Sequence, residues 1–345
     1  MNNNLPFVSV VIPCRNEEKF IAKCLDLLML QDYPESRLEV VIVDGMSTDK
    51  TREIVSGYAK KNPRIRMIDN PQKITPHALN IGIGQARGEI IMLPGAHSFY
   101  SPNYVSVCVS KMDEFGADVV SGVSRVIPSQ GSLAARAIAL CLSSFFGAGN
   151  AYYKISVPKS PKWVDTVFGG CYKKSLFAKI GKFDARLARN QDFDLSVRIK
   201  KSGGKILLVP DVSINYYPIT SLGKFAKHNY DDGYWVIYPL SYGLKTFSWR
   251  HLLPLLFILG LFLSLVGGLF AKQILLFYAV AGSYILFNLI FSLAIALKEK
   301  NLGLLFIMAA VFFIRHFFYG LGSLSALGAV IINKNGRNRS NSPAI

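Results

Sequence analysis

Short apolar runs alternate with amphipathic ones along the first ~125 residues. Val8-Ser-Val-Val-Ile-Pro13 reads as a buried strand, and Phe20, Ile21, Cys24, Leu25 and Leu28 then recur at helical spacing. Leu38-Glu-Val-Val-Ile-Val-Asp44 is a second strand, followed by the polar turn Gly45-Met-Ser-Thr-Asp49 and a helix to about Lys61. Ile65 to Ile68, a helix from about Pro76 to Ala86, and Glu89 to Leu93 continue the alternation, and Val119 to Ile127 predicts another strand. Strands this short and apolar, separated by helices, predict an α/β fold with a mostly parallel sheet and helices on both faces. Ligands of such sheets collect beyond the carboxyl ends of the strands. The residues that follow Pro13, Val43 and Leu93 are therefore the first candidates for chemistry.

Further along the pattern changes. Ser132 to Gly147 is an apolar helix broken only by Arg136, expected either on a membrane surface or buried. Val164 to Tyr172 and Lys205 to Pro210 predict strands, and Asp192 to Lys201 a helix stopped by Gly203-Gly204. Leu222 to Tyr238 mixes Lys224, Lys227 and His228 with Phe225, Tyr230, Tyr234 and Trp235, which suits an interface belt ahead of a span. Leu252 to Ala271 and Gln273 to Leu297 then carry no charged residue, and their 20 and 25 residues are each enough to cross a bilayer. A third apolar stretch, 302–332, is interrupted by Arg315-His316 and reads as one long tilted helix or as a re-entrant pair around Gly320 and Gly322. Arg315 should face protein, water or a lipid diphosphate, or snorkel to a helix end. The expected organisation is a sheet domain over 1–240, with 218–240 as an interfacial segment. A membrane region follows over 249–333 (hydrophobic segments 252–271, 273–297 and 302–332), and then a basic polar tail over 334–345.

Charge narrows the partners. Thirty-nine Lys and Arg against 22 Asp and Glu give +17, an excess that suits nucleic acid, anionic lipid or a phosphorylated substrate. No nucleic-acid recognition motif or clustered basic run accompanies it, so the apolar spans favour the lipid surface, and no nucleic acid is expected. A purely soluble protein, a disordered chain and a transporter filling the whole length are excluded. Five cysteines, at 14, 24, 108, 141 and 171, form no Cys-x-x-Cys pair, which predicts free thiols in a reducing compartment. The N-terminal residues lack the basic-then-apolar pattern of a signal peptide, so the charged part is expected in the cytosol.

Three polar clusters follow predicted strands: Arg15-Asn-Glu-Glu18, Asp44 with Ser47, Thr48 and Asp49, and Gly95-Ala-His-Ser98. A carboxylate at a strand end can bind a ribose hydroxyl or a base N–H. Asp49 and Thr48 are equally suited to capping the next helix, whereas Asp44 ends an apolar run with no capping role. Lys73, His77 and Asn80 precede the fourth strand and can approach phosphates or sugar, or form a solvated helix face. Neither Gly-x-Gly-x-x-Gly nor Gly-x4-Gly-Lys-Ser/Thr follows the first strand, which removes the dinucleotide and P-loop readings.

Val8-Ser-Val-Val-Ile-Pro-Cys-Arg-Asn-Glu-Glu18, Val41-Ile-Val-Asp-Gly-Met-Ser-Thr-Asp-Lys-Thr51 and Asn190-Gln-Asp-Phe-Asp-Leu-Ser-Val-Arg198 together resemble the inverting glycosyltransferases of family 2, which have the GT-A fold. Val164-Asp-Thr-Val167, Gly181-Lys-Phe-Asp184 before Arg189-Asn-Gln-Asp192, and the Tyr-Trp of Asp232-Gly-Tyr-Trp235 are similar to the ExoA-like, succinoglycan-type subgroup. The resemblance covers roughly residues 7 to 240. It implies that Pro13, Glu17 and Asp44 hold the nucleoside-diphosphate sugar, to which Asn80 is added from its place ahead of the fourth strand, and that Asp192 is the general base toward the acceptor hydroxyl. It also implies a divalent metal, Mn or Mg, held by an Asp-x-Asp or Asp-Ala-His after the fourth strand. Here that run is Leu93-Pro-Gly-Ala-His97, with Gly95 in place of the first acid and His97 in place of the second ligand. Either His97 and the diphosphate hold the ion, or basic groups replace it, or the site is impaired. The expected function is a multi-pass enzyme of the cytoplasmic membrane with a cytosolic catalytic domain. It would pass a sugar to a lipid-linked saccharide acceptor in exopolysaccharide synthesis. The alternative is a non-catalytic sugar-nucleotide-binding or scaffold subunit with a degenerate metal site.

Overall fold

The computed structural model describes residues 5–128, 132–149, 151–155, 157–245, 247–272 and 274–340. Contacts divide the chain into two compact units, residues 1–125 with 152–217 and residues 126–151 with 218–345. The second unit thus takes an internal excursion of 26 residues as well as the C-terminal part.

The first unit opens with β1 (Val8–Cys14), α1 (Ile21–Met29), β2 (Leu38–Asp44), α2 (Thr51–Lys61), β3 (Ile65–Asp69), α3 (Thr75–Gln85), β4 (Ile90–Met92), β5 (Ser98–Tyr100), α4 (Tyr104–Glu114) and β6 (Val119–Val126). The chain leaves it as α5 (Leu133–Leu142) and α6 (Phe145–Ala148). It returns with α7 (Tyr152–Ile155), β7 (Lys162–Trp163), β8 (Cys171–Lys173), α8 (Lys174–Ile180), α9 (Gln191–Lys201) and β9 (Ile206–Tyr216). The sheet order is β3-β2-β1-β4-β8-β6-β9-β5, with β7 on β9. β1, β2, β3 and β4 pair in parallel, whereas β8 pairs antiparallel with both β4 and β6, and β9 antiparallel with β5 and β7. The sheet is therefore mixed: the parallel half follows the strand–helix alternation, and the other half needs no crossover helices. The strand expected over 164–172 forms only from Cys171, because Gly169 takes a left-handed φ of 61° just before it.

Side-chain alternation along β1 sends Val8, Val10 and Ile12 into one apolar cluster and Val11 into another, so both faces of the sheet are covered. Ser9 and Glu39 are the polar exceptions in these central strands, and both are fully buried. Ser9 donates to the Glu39 carboxylate at 2.5 Å, and the same carboxylate accepts from the Arg87 backbone N–H at 2.7 Å, from Arg87 Nε at 3.0 Å and from Arg66 Nε at 3.3 Å.

In the second unit α10 (Leu222–Ile237) is followed by α11 (Leu253–Phe270), α12 (Leu275–Lys298) and α13 (Leu304–Ser340). Three stretches, Trp249–Phe270, Leu275–Lys298 and Leu304–Ile332, are helices long and apolar enough to cross a membrane. The third is continuous: Gly320 and Gly322 do not break it. They let neighbours approach, since a Cβ at Gly320 would strike the Pro254 carbonyl and one at Gly322 the Tyr230 carbonyl, while one at Gly233 would strike the Tyr319 carbonyl. Replacing Gly233 by Ala should therefore cost about 1–3 kcal/mol by overpacking, measured as a lower thermal unfolding midpoint in detergent.

The apolar stretch over Ser132 to Gly147 buries itself. Ala137, Ile138 and Cys141 of α5 pack with Phe225, Met308 and Phe312. Arg315 and His316 face protein: Arg315 Nε donates to the Gly147 carbonyl at 3.1 Å and its Nη1 to Asn229 Oδ1, and His316 Nε2 lies 2.8 Å from the Phe146 carbonyl. These two side chains satisfy carbonyls of α6 inside a largely apolar bundle. The side chains of the basic tail beyond residue 332 lie outside the described residues.

Candidate active site

The carboxyl ends of β1, β2, β3 and β4 meet the start of α9 around a cavity of about 350 Å³. The loops after β1 and β2 are stitched together there. The Asn16 N–H donates to Ser47 Oγ at 2.9 Å, the Glu17 N–H to Thr51 Oγ1 at 2.8 Å, and the Thr48 N–H to Asn16 Oδ1 at 2.9 Å. Asp49 accepts from the Thr51 N–H at 3.0 Å, so it serves as a cap for α2. Within the first unit, four described residues hold left-handed backbones without being glycine, and each follows one of the strand ends or precedes α9: Asn16 (φ 56°), Met46 (φ 58°), Lys73 (φ 63°) and Asn190 (φ 65°). Such conformations cost energy and persist where the surroundings impose them.

Asp192 lines the cavity on the first turn of α9, but its carboxylate does not cap the helix and has no partner among the described residues. Asp192 is exposed to the cavity, and desolvation by the surrounding protein pushes its carboxyl up to about 6. Asp194, two residues on, is buried and paired to Arg198 at 2.9 Å. Glu17 Oε1 stands 3.2 Å from His97 Nδ1, and the His97 ring lies near those of Phe20 and Tyr216. Arg15 and Lys73 also line the cavity, and their side chains make no hydrogen bond or ion pair among the described residues. Burial, then the charges of Glu17 and Asp44, push the Cys14 thiol well up, which keeps it protonated and unreactive at the cavity wall.

Asp44 is fully buried behind that wall. It accepts from Ser47 Oγ at 2.5 Å and the Ser47 N–H at 3.0 Å and pairs with Arg52 at 2.5 Å, while Arg52 also reaches Asp69 at 2.9 Å. Its neighbour Gly45 is the residue that meets the cavity. The arrangement presents one unpartnered carboxylate and two unpartnered cations to a single recess. That is the charge pattern for moving a proton from one group while stabilising an anion on another.

The sequence signature of the family described as glycosyl transferase family 2 matches residues 9–181, half of the chain. The chain belongs to that family. Among curated proteins, this glycosyltransferase is 28% identical over 235 residues to the dolichyl N-acetyl-α-D-glucosaminyl phosphate 3-β-D-2,3-diacetamido-2,3-dideoxy-β-D-glucuronosyltransferase of Methanococcus voltae. That match covers 66% of this chain and 72% of the relative. The succinoglycan biosynthesis protein ExoA of Rhizobium meliloti is 29% identical over 215 residues, covering 62% of this chain and 64% of that one. The crystal structure of S. aureus TarS 1-349 shares the fold, with a TM-score of 0.50 at 20% identity over 67% of this chain and 65% of that one. The sheet unit is thus of the GT-A type, a mixed sheet with helices, and the protein is an enzyme.

Of the residues singled out from the sequence, the cavity of this glycosyltransferase gathers Pro13, Glu17, His97 and Asp192, with Lys73. Asp44 supports it from behind. Asn80 does not reach it: the Asn80 amide donates to the Phe183 carbonyl at 2.8 Å and accepts from the Phe183 N–H at 2.9 Å, which pins the segment ahead of α9. Asn70 was missed. It is buried beside the cavity, donates to the Ile74 carbonyl at 3.0 Å, and its Oδ1 has no partner. Asn70 follows β3 directly, so the strand-end rule applied to the other three strands would have found it. A larger, shallower groove, of about 1510 Å³, runs by the opposite ends of β1 and β4 past Asp32, Glu89, Lys173 and Lys182, away from these groups.

The family resemblance implies a divalent ion. Gly95 offers it no side chain, and His97 with Glu17 supplies one imidazole nitrogen and one carboxylate. Among the described residues no group of three His, Cys, Asp or Glu side chains stands ready to hold a metal. A hard ion that takes six or more oxygens is poorly served by such a pair. The residues present do not fit a protein-held Mg²⁺ or Mn²⁺ site.

Proposed function

We propose that this enzyme moves a sugar from a nucleoside-diphosphate sugar to a hydroxyl of a lipid-linked saccharide, with inversion at the anomeric carbon. The unpartnered Asp192 carboxylate, held in the recess with its proton affinity raised toward neutrality, carries the reading. A base with a pKa near the working pH accepts a proton most effectively. In the proposed step the acceptor hydroxyl gives its proton to Asp192 while its oxygen bonds to the anomeric carbon from the far side. The bond to the diphosphate oxygen breaks, and that electron pair leaves with the nucleoside diphosphate. Pro13 and Glu17 form the donor side of the recess, and Asp44 fixes the loop beside Gly45.

The names of two relatives support the acceptor class: one is described as acting on a dolichyl phosphate-linked sugar and the other as a protein of succinoglycan biosynthesis. Three apolar helices would hold the enzyme where such lipids reside. We place it in the cytoplasmic membrane, with residues 1–240 as a cytosolic catalytic part, 249–333 as the anchor and 334–345 as a basic tail. All five cysteines are free and buried, which suits a reducing compartment.

The test uses the purified full-length protein in detergent with a panel of UDP-, GDP-, dTDP- and CMP-sugars and a polyisoprenyl-diphosphate saccharide. One or a few of the diphosphate donors should release nucleoside diphosphate, faster when the lipid acceptor is present. Absence of turnover with every donor and acceptor would refute the proposal.

A further inference from the structure

We infer that the departing diphosphate is held by two protein cations, Arg15 and Lys73, and that donor binding needs no divalent metal. The inference rests on the reading of the cavity as a nucleoside-diphosphate-sugar site. When the anomeric bond breaks, the diphosphate keeps the bonding electron pair and gains one negative charge. Something in the recess must already be positive where that charge develops. A metal held by protein would need carboxylate oxygens, and the position after β4 that would offer the first of them is Gly95.

Positive charge is nevertheless present. Arg15 follows β1, and its stem lies across Gly45 at the end of β2: a Cβ added there would come within 3.2 Å of Arg15 Cβ and Cδ. Glycine at 45 thus leaves the channel that the Arg15 side chain occupies. Lys73 lines the same cavity from the segment after β3, in a turn where its N–H donates to the Asn70 carbonyl at 3.1 Å. It holds the left-handed backbone, φ 63°, that a lysine adopts only at a cost. That cost places Lys73 at the open first turn of α3, whose residues Ile74 and Thr75 share the cavity wall.

Neither cation has a carboxylate partner among the described residues, whereas the imidazole in the recess, His97, is engaged with Glu17. Arginine matches phosphate oxygens with a planar fork, and lysine acts as a point charge. The pair offsets two units of charge, enough for the unit that develops and one already resident. Asp192 takes the acceptor proton in the same event, so the recess ends with a neutral carboxylic acid and a cation-bound diphosphate.

Isothermal titration of the full chain in detergent with UDP, GDP and dTDP tests this, each run in EDTA and again in Mn²⁺. The tightest ligand should bind with the same affinity, within roughly threefold, in both conditions, a difference below a kilocalorie. Lys73→Gln and Arg15→Gln should each weaken it roughly tenfold or more in EDTA, the loss expected for a charge-assisted contact. Arg15→Lys should recover part of that loss, and unchanged unfolding midpoints would show that the variants are folded. Binding that is at least tenfold tighter with Mn²⁺, falls on His97→Ala and ignores Lys73→Gln would overturn the inference and leave the proposed function standing. If no nucleoside diphosphate binds in either condition, both fall together.

Discussion

Asp192→Asn should lower transfer by roughly 10²–10⁴ while leaving nucleoside-diphosphate binding intact. Asparagine keeps the size and the position on α9 but cannot take a proton from the acceptor hydroxyl. The wild-type enzyme should also show a rising limb in kcat/KM with its midpoint near pH 6, the value to which desolvation lifts this carboxyl. The sign follows from the role: a base works when ionised, so activity climbs as pH passes upward through 6 and is lost below it. The limb should vanish from the residual activity of the variant. Stability moves the other way. A carboxyl whose folded pKa is raised binds its proton more tightly in the folded state, so ionised Asp192 opposes folding above the ordinary value of 3.8. The Asn variant should therefore unfold at the same temperature as the wild type or a higher one at pH 7. Transfer at the wild-type rate, or a collapse of the fold, would each remove Asp192 from the mechanism.

A large effect is likewise expected far from the site, on Glu39→Ala. The Glu39 side chain is 1% exposed and gathers Ser9, Arg66 and Arg87 between β1, β2 and β3. Removing it takes the acceptor from the buried Ser9 hydroxyl and the Arg87 N–H, while the Arg66 and Arg87 guanidinium groups can turn to water, for a cost of about 1–3 kcal/mol. Chemical denaturation followed by circular dichroism should show the midpoint falling accordingly, and a loss below about 1 kcal/mol would mean that the cluster relaxes into water. Burial works to raise the Glu39 carboxyl, but the hydrogen bonds from Ser9 and Arg87 and the charges of Arg66 and Arg87 outweigh it and hold it below its ordinary value. A depressed carboxylate contributes stability that is complete above its unfolded value of about 4.5 and disappears as pH falls through the lower folded one. Wild type should therefore lose stability with acid in that window, and Glu39→Ala should lose less.

Both residues show where the chain could be read and where it could not. Asp192 stood out in the Asn-Gln-Asp-Phe-Asp-Leu run, yet an Asp at a helix start taken alone suits a cap, and the lack of any cap bond among the described residues together with the opening into the cavity supports the other role. Glu39 looked like a polar interruption in an apolar strand, since its partners lie 30, 27 and 48 residues away. Asp44 was legible as a strand-end carboxylate, but its partners Ser47 and Arg52 turned it inward. Asn80 stood ahead of the fourth strand, placed to approach a donor, and was taken by Phe183 instead, 103 residues on. The antiparallel half of the sheet was hidden for a related reason: β8 and β5 have only three residues each, too few for a periodic signal.

By itself the sequence determined the local and repetitive features: the apolar strands with polar residues at their carboxyl ends, the two uncharged runs and the third apolar stretch, and the absent acid at Gly95. These depend on side-chain period and composition within a few residues, which the chain carries without reference to its fold. Tertiary structure alone decided which polar groups are spent and which are free. Glu17 is taken by His97, Asp44 by Arg52 and Asn80 by Phe183, whereas Asp192, Arg15 and Lys73 stay unpaired among the described residues in one recess. Pairing is a matter of distance and desolvation, and both are set by contacts between residues that lie up to about a hundred positions apart in the chain.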